Sequence, residues 1–325
     1  MKTRNTNIEL LRIIFMSLIL TLHVYGHGSR LNYEWIYGLG TDWATAWNLS
    51  LFSLGKIGVT GFIFISGYFG IKTNRKNIIH LLTITFFYAL IFYISFRHYH
   101  LREIIYLVFA FDFWWFVSCY FFIMLLAPFI EEGIKKISEQ KFLLLLSGMF
   151  FYTYVMRFYN KANSHDIILL LSVYMGARYL KYYPKSKLST IVLQWGALSF
   201  VLILFVPVAI MQIGWKTDML MPCFIQNNNI LLFIASYWLI YKCEQYVYYN
   251  KNLNRLASGS LAIYLVTDYH DVRNLLDPWL LPNLLRGYGL FLIAGICIAI
   301  LIFALFRGWI FDRISLILKR LFMNS

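Results

Sequence analysis

Long apolar stretches follow one another along almost the whole chain, separated by short polar segments. About 20 apolar residues in a helix cross the hydrocarbon core of a bilayer. On this criterion the pattern predicts ten membrane helices, at about residues 8–26, 56–71, 78–96, 112–130, 142–157, 166–180, 188–213, 223–242, 257–270 and 284–306. The second, sixth and ninth are short. The pattern therefore predicts an all-α, polytopic integral membrane protein.

The composition agrees with this class. Of the 325 residues, 60% are hydrophobic and only 14% are charged, whereas a soluble domain is about one quarter charged. No linker rich in Pro, Gly or Ser and no long polar stretch interrupts the apolar windows, so residues 1–325 are predicted to form a single membrane domain. The four cysteines lack the spacing of metal ligands, and no metal site is expected.

The net charge of +14 is better explained by the membrane topology of the chain than by binding to nucleic acid. Cytoplasmic loops of membrane proteins carry an excess of Lys and Arg. If both termini are cytoplasmic, 20 of the 29 Lys and Arg residues fall on the inner side, and the reverse orientation inverts this bias. Both termini are therefore expected in the cytoplasm. A long outer loop, at about 27–55, is expected to lie along the membrane because it contains three tryptophans.

Two ionisable side chains share one face of the first predicted helix. Arg12 and His23 are eleven residues apart, which is about 20° past three full turns and about 16 Å along the axis. His27 lies one turn further on nearly the same face. An ionisable group inside a bilayer costs about 2.5–3.5 kcal/mol on insertion scales, so such a pair is a candidate functional site.

The residues near Arg12 and His23 indicate how the pair could act. Between Arg12 and His23 the face carries only apolar side chains, at positions 15, 16 and 19, which suits a tube with an anion at its inner mouth and a base in its middle. Glu9, one turn before Arg12, either pairs with it or only caps the helix. The alternatives are that Arg12 only reaches out to lipid phosphates and that His23 is a satisfied core histidine.

Four sequence blocks, in this order, resemble the acyltransferase 3 family: ELLR followed by ten residues and His, GVTGFIFISGYFGIK (58–72), WWFVSCYFFIMLLAPFI (114–130) and SGSLAIYLVTDYHDVR (258–273). Members are bacterial membrane O-acyltransferases that modify surface carbohydrates. The resemblance covers nearly the whole chain. It implies a ten-helix acyltransferase domain in the cytoplasmic membrane, with acetyl-CoA as acyl donor entering from the cytoplasm and the acceptor sugar met outside. It also implies that Arg12 and His23 are the family's essential pair.

The sequence departs from the family pattern in three places. Many members carry arginines after the second helix, where this chain has only Arg75 beside Lys72 and Lys76. The tryptophan block lacks the glutamate of one large branch. The block of the ninth helix reads Thr267-Asp268, where His or Ser before Glu is common. These departures point to the branch that modifies capsule, exopolysaccharide and surface antigens.

Candidate donor-binding residues follow from the second block. Lys72, Arg75 and Lys76 are expected to bind the phosphates of coenzyme A, with Arg75 favoured for its bidentate geometry. Ser66 and Tyr68 are expected to face the donor tunnel. The alternatives are that the basic residues only set the topology and that the glycines around Ser66 only serve helix packing.

Candidate acceptor-binding residues come from the other two blocks. Trp115 and Tyr120, with Trp114, are expected to stack on a sugar or an adenine ring, and His270 and Arg273 to bind sugar hydroxyls. Asp268 is expected either to share that role or to orient the histidine of the first helix. An interfacial aromatic belt and a solvated helix end are the alternatives.

The sequence therefore predicts a membrane enzyme that moves an acetyl group from acetyl-CoA to a hydroxyl of capsule, exopolysaccharide or a lipid-linked glycan precursor. His23 is expected to act as general base, because histidine titrates near neutral pH; an acyl-histidine intermediate stays open. The competing hypothesis is a transporter of a glycan or small solute with His23 as a proton relay. A sensor module of the same fold is a third hypothesis.

Overall fold

Helices make up the whole regular structure of the residues described in this computed structural model, which are 4–25, 43–96, 114–156, 167–213, 226–276 and 289–323. Within them lie α1 (Thr6–His23), α2 (Trp43–Phe69), α3 (Arg75–Ser95), α4 (Trp115–Lys136), α5 (Glu139–Phe150), α6 (Ile167–Tyr182), α7 (Lys187–Ile213), α8 (Ile230–Gln245), α9 (Lys251–Ala257), α10 (Leu261–Thr267) and α11 (Gly289–Met323). A π-helical turn, Phe151–Met156, continues α5. The all-α prediction is confirmed.

Six helices among the described residues are long and apolar enough to cross a membrane. These candidate spans are Thr6–His23, Leu49–Phe69, Arg75–Ser95, Trp115–Lys136, Lys187–Ile213 and Phe291–Phe311. They confirm a multi-pass membrane protein. Among the other predicted spans, α6 and α8 have 16 residues each and α10 has seven. The count of ten and the cytoplasmic location of the termini stay predictions.

The helix α2 begins well before the predicted residue 56. It starts at Trp43 and runs for 27 residues. Lys56, where the predicted helix begins, lies inside the observed helix. Its side chain is buried, and its ammonium is 4.9 Å from the centre of the Phe52 ring. The prediction of a loop as far as residue 55 is therefore wrong from residue 43 onward. Residues 26–42, which include His27, lie outside the described residues.

The helix α1 packs closely against α2 along the face that carries Arg12 and His23. A Cβ atom on Gly58 would collide with the carbonyl oxygen of Phe15 and with the side chain of Ile19. Glycine at this position lets the two backbones approach, as at many membrane helix interfaces. Phe15 and Ile19 are fully buried as a result.

The end of α2 is capped by a side chain from α6. Gly70 ends the helix with a φ of +77°, the left-handed conformation that glycine adopts at helix C-termini. Arg178 donates hydrogen bonds to the carbonyl oxygens of Gly67 (3.1 Å) and Tyr68 (3.3 Å). Glu131 of α4 holds the same guanidinium at 2.7 Å. Three helices are thereby joined at one point.

The turn from α2 to α3 is held against a proline in α4. Pro128 has no N–H, so it leaves the carbonyl of Met124 without its helical donor. The Thr73 hydroxyl donates to that carbonyl at 2.5 Å. Asn74 then caps α3, accepting a bond from the backbone N–H of Asn77 at 2.8 Å. The turn is therefore well fixed, and so are the basic residues that it carries.

The N-terminus of α1 is tied to the segment before α9. The N–H of Thr6 donates to the carbonyl of Tyr248 at 2.7 Å, and the N–H of Asn250 donates to the Thr6 hydroxyl at 2.7 Å. Further along, α1 packs against α2, α9, α10 and α11. It is a central helix of the bundle, and its last residue, His23, meets α10.

Candidate active site

The imidazole of His23 is buried against the end of α10. Its Nδ1 atom lies 3.1 Å from the hydroxyl oxygen of Thr267. That hydroxyl has one proton, which it donates to the carbonyl of Ile263 at 2.7 Å. The Thr267 oxygen is therefore an acceptor toward the ring, so Nδ1 carries hydrogen and Nε2 is the basic nitrogen of the neutral tautomer.

A carboxylate stands on the other side of the ring. Oδ1 of Asp268 lies 3.6 Å from Nε2 of His23, and both side chains are buried. Arg273 places Nη1 3.9 Å from the same oxygen. A carboxylate here stabilises the positive charge that the ring acquires when Nε2 takes a proton. The sequence expectation that Asp268 could orient His23 agrees with this geometry.

An aromatic wall joins this site to the start of α4. The rings of Tyr264 and His23 are 5.8 Å apart, and the Tyr264 hydroxyl accepts a bond from the N–H of Phe116 at 3.3 Å. Trp114, the residue before α4, is fully buried and donates from Nε1 to the carbonyl of Leu265 at 3.0 Å. Two independent hydrogen bonds therefore hold the tryptophan block against α10.

Arg12 lies at the opposite end of α1 and is partly exposed. Its Nη1 atom is 3.4 Å from both carboxylate oxygens of Glu9, which also pairs with Arg4 at 3.7 Å. Between Arg12 and His23, the side chains of Met16 and Ile19 are 0% and 1% exposed. The face between the pair is therefore packed and does not line an open passage, contrary to the tube expected from the sequence.

A comparison with family models shows the family of the chain. The acyltransferase 3 family model, described as "Acyltransferase domain", matches residues 5–306. The chain belongs to the acyltransferase 3 family. The family resemblance of the sequence blocks is thereby confirmed, and the match includes α1, α10 and most of α11. No curated protein and no solved structure matched the chain.

A partly exposed face of this acyltransferase runs beside the packed one. Phe62 of α2 and Tyr120 of α4 face each other with ring centres 6.2 Å apart, and both are partly exposed. Ser66, one turn further along α2, is also partly exposed and donates to the carbonyl of Phe62 at 3.1 Å. Tyr120 stacks on Phe116, whose N–H donates to the hydroxyl of Tyr264. Two predicted site residues, Ser66 and Tyr120, therefore share this face.

Tyr68 belongs to a different group of residues. Its side chain is buried, and its hydroxyl donates to Glu244 of α8 at 2.6 Å. Lys181 of α6 pairs with the same carboxylate at 2.7 Å and lies 4.3 Å from the Tyr68 ring centre. This polar network joins α2, α6 and α8.

The three predicted phosphate-binding residues are exposed together. Lys72 lies in the turn before α3, and Arg75 and Lys76 open that helix. None of the three forms an ion pair with any residue that the structure describes. The fixed turn therefore presents three cations that an anion can reach.

The remaining predicted acceptor residues lie at the rim of the site. His270 is exposed and contacts Asn274 at 3.1 Å and Asp271 at 3.6 Å. Trp115 is partly exposed and meets Phe116 edge-on, with ring centres 5.8 Å apart. Trp114, rather than its neighbour Trp115, makes the buried contact with α10 described above.

The sequence did not predict the contacts or the burial of several residues. Thr267 stood out only as a departure from the family pattern, although a threonine four residues after a helical carbonyl commonly donates back to it. Arg178 and Arg307 were counted only as topological charges, yet both are buried. The residues around both arginines lie far away along the chain, so the local sequence does not predict that either is buried.

Proposed function

We propose that this acyltransferase moves an acetyl group from acetyl-CoA to a hydroxyl of a surface polysaccharide, either capsule, exopolysaccharide or a lipid-linked glycan precursor. The observation that carries the proposal is the position of His23 between Thr267 and Asp268. One neighbour sets the tautomer and the other stabilises the protonated ring. A fixed tautomer and a nearby carboxylate are both favourable for a histidine that acts as general base.

The chemistry follows from that geometry. The donor supplies a thioester carbonyl as the acyl group to be transferred. Nε2 of His23 takes the proton of the acceptor hydroxyl as its oxygen forms the new C–O bond with that carbonyl. The C–S bond breaks, and the imidazolium returns the proton to the sulfur, so the products are an acetyl ester and a free thiol. Positioned proton transfer of this kind is typically worth about 10²–10⁴-fold in rate.

The donor end of the proposed site is basic. Coenzyme A is anionic, and the exposed cations of Lys72, Arg75 and Lys76 fit it in charge, with Arg12 at the same predicted inner side. Because the face between Arg12 and His23 is packed, we assign the path of the acyl arm to the partly exposed face with Ser66.

The acceptor end is aromatic and polar. Trp115 and Tyr120 are partly exposed rings near the site, and sugar rings pack well on such faces. Arg273 is partly exposed while it contacts Asp268, so one guanidinium can meet both the catalytic carboxylate and a sugar hydroxyl. His270 is the outermost member of this group.

Complementation of a deletion strain tests the function. Wild type and His23→Ala are returned to a host that lacks the gene, and the acetyl content of the surface polysaccharide is measured by linkage-resolved NMR. Wild type should restore acetyl esters and His23→Ala should not, at equal protein levels in the membrane. Ser147→Ala, at an exposed position of α5, is the control and should behave as wild type. Normal acetylation by His23→Ala would reject the catalytic assignment. Wild-type vesicles that move intact glycan without releasing coenzyme A would favour the transporter.

A further inference from the structure

Arg307 is a buried cation without a matching anion. It lies in the candidate span Phe291–Phe311 and is 6% exposed. Its Nε and Nη1 atoms have no hydrogen-bond partner in the part of the chain that the structure describes. The ring of Tyr88, on α3, lies 5.4 Å from the guanidinium carbon. Burying a charged side chain without a hydrogen-bond partner inside a membrane costs free energy. Arg307 is therefore a candidate ligand-binding residue.

The described groups near Arg307 are basic. No carboxylate among the described residues forms an ion pair with it. His80, on α3, lies within electrostatic range of both Arg307 and Lys76. His80 and Lys76 are exposed and four residues apart, which brings them onto one face of α3. Basic side chains near a buried guanidinium favour an anionic ligand.

A second set of unsatisfied polar atoms lies on a neighbouring helix. Asn254, on α9, is buried, and neither atom of its side-chain amide has a hydrogen-bond partner within the described part of the chain. The helix α9 packs against both α1 and α11. Native proteins leave few buried polar groups unpaired. Asn254 is therefore a second buried polar group on a helix that contacts α11.

We propose that Arg307 is the buried anchor of a phosphate-binding site beside α3 and α11, with His80 and Lys76 at its open edge. A phosphate group matches the planar fork of a guanidinium and accepts two hydrogen bonds from it, so Nε and Nη1 gain the partners they lack. Two ligands carry this chemistry, coenzyme A and a phospholipid headgroup. The coenzyme A assignment rests on the proposed function, because it requires the donor that was proposed above.

Two binding measurements on the full chain test the site. Wild type, Arg307→Gln, Arg307→Lys and the control Arg313→Gln, an exposed arginine on the same helix, are purified in lipid nanodiscs. Calorimetry measures the Kd of coenzyme A, and native mass spectrometry measures how much phosphatidylglycerol each variant retains after transfer to detergent. Arg307→Gln should weaken coenzyme A binding about 10- to 100-fold. Arg307→Lys should weaken it less, and Arg313→Gln should leave it unchanged.

The outcomes separate the ligands and the two proposals. Loss of coenzyme A binding in Arg307→Gln identifies the donor as the source of the phosphate. Loss of phosphatidylglycerol alone supports the site with a lipid as its ligand. Retention of both ligands at wild-type levels overturns the site. If the wild type itself binds no coenzyme A, the proposed donor fails and the lipid measurement alone decides the phosphate site.

A surface variant keeps the test decisive if Arg307→Gln does not accumulate as folded protein. His80→Gln changes one exposed side chain of α3 and leaves Lys76, which is assigned to the donor phosphates, in place. This variant should fold as wild type and weaken whichever ligand the site holds. Wild-type binding of both ligands by His80→Gln would also overturn the site.

Discussion

The Nδ1 atom of His23 lies 3.1 Å from a Thr267 hydroxyl whose only proton is already donated to a backbone carbonyl. This relationship decides the chemistry of the ring, because it leaves Nε2 as the basic nitrogen and turns it toward Asp268. Thr267 is therefore a positioning residue. It acts through His23 and need not touch either substrate.

Thr267→Val should lower kcat for acyl transfer about 10- to 100-fold, because it leaves the buried N–H of His23 unsatisfied and frees the ring to turn. The KM for the donor should not change. Thr267→Ser keeps the hydroxyl and should restore most of kcat. Steady-state release of the coenzyme A thiol measures both parameters.

A buried threonine elsewhere provides the matched control. Thr85 of α3 also donates to the carbonyl four residues before it, at 2.9 Å, and makes no hydrogen bond to a histidine among the described residues. Thr85→Val should keep the wild-type kcat. Equal kcat in Thr267→Val and wild type would remove Thr267 from the mechanism.

Asp268→Asn should lower kcat about 10²–10³-fold, because the neutral amide no longer stabilises the charge that develops on the ring. Binding of coenzyme A, measured by calorimetry, should stay as in the wild type. Glu132→Gln serves as the control, since Glu132 is exposed and pairs with Lys135 at 2.8 Å. The role given to the carboxylate is untenable if Asp268→Asn turns over as fast as that control.

Gly58→Ala should destabilise the protein by about 1–3 kcal/mol, since the new methyl group collides with the backbone of α1 at Phe15. The displaced α1 also carries His23, so activity should fall with stability. Gly133→Ala is the control, because a Cβ atom there meets nothing within 4 Å. Thermal unfolding of both variants in detergent measures the difference. Equal melting temperatures would contradict the close packing of α1 on α2.

Replacing Lys72, Arg75 and Lys76 together by glutamine should raise the KM for acetyl-CoA about 10-fold or more and leave kcat unchanged. The three cations are exposed and make no ion pair with a described residue, so the substitutions remove charge without breaking the fold. The wild-type KM should rise with salt, and the variant's should rise less. Lys135→Gln, at the exposed pair with Glu132, should keep the wild-type KM. An unchanged KM in the triple variant would place the donor phosphates elsewhere.

The parts of the site that the sequence predicted depend on local rules. Helical periodicity put Arg12 and His23 on one face of α1, and the apolar window placed that helix at about 8–26, against Thr6–His23 in the structure. The expectation that Asp268 could orient His23 came from the cluster of charged residues at the outer end of the predicted ninth helix. Each of these relationships is encoded within a short segment or within the family pattern.

The parts that were missed depend on partners far along the chain. The helix α2 extends back to Trp43 and contains Lys56, whose side chain is buried, and burial is decided by the helices packed around it. The tube along α1 was predicted from the residues of that helix alone. In the structure α2 packs against α1, through contacts such as Phe15 with Gly58. The same limit applies to Arg307, whose burial arises from the assembled bundle.

The claim that His23 is the base of an acyl transfer is tested most directly with purified protein. Wild type and His23→Gln are reconstituted in liposomes with radiolabelled acetyl-CoA and de-O-acetylated surface polysaccharide, and label in the glycan is counted against the Kd of coenzyme A for each protein. The account predicts that His23→Gln binds coenzyme A as the wild type does and transfers label about 10²–10⁴-fold more slowly. Transfer by His23→Gln at the wild-type rate would contradict it.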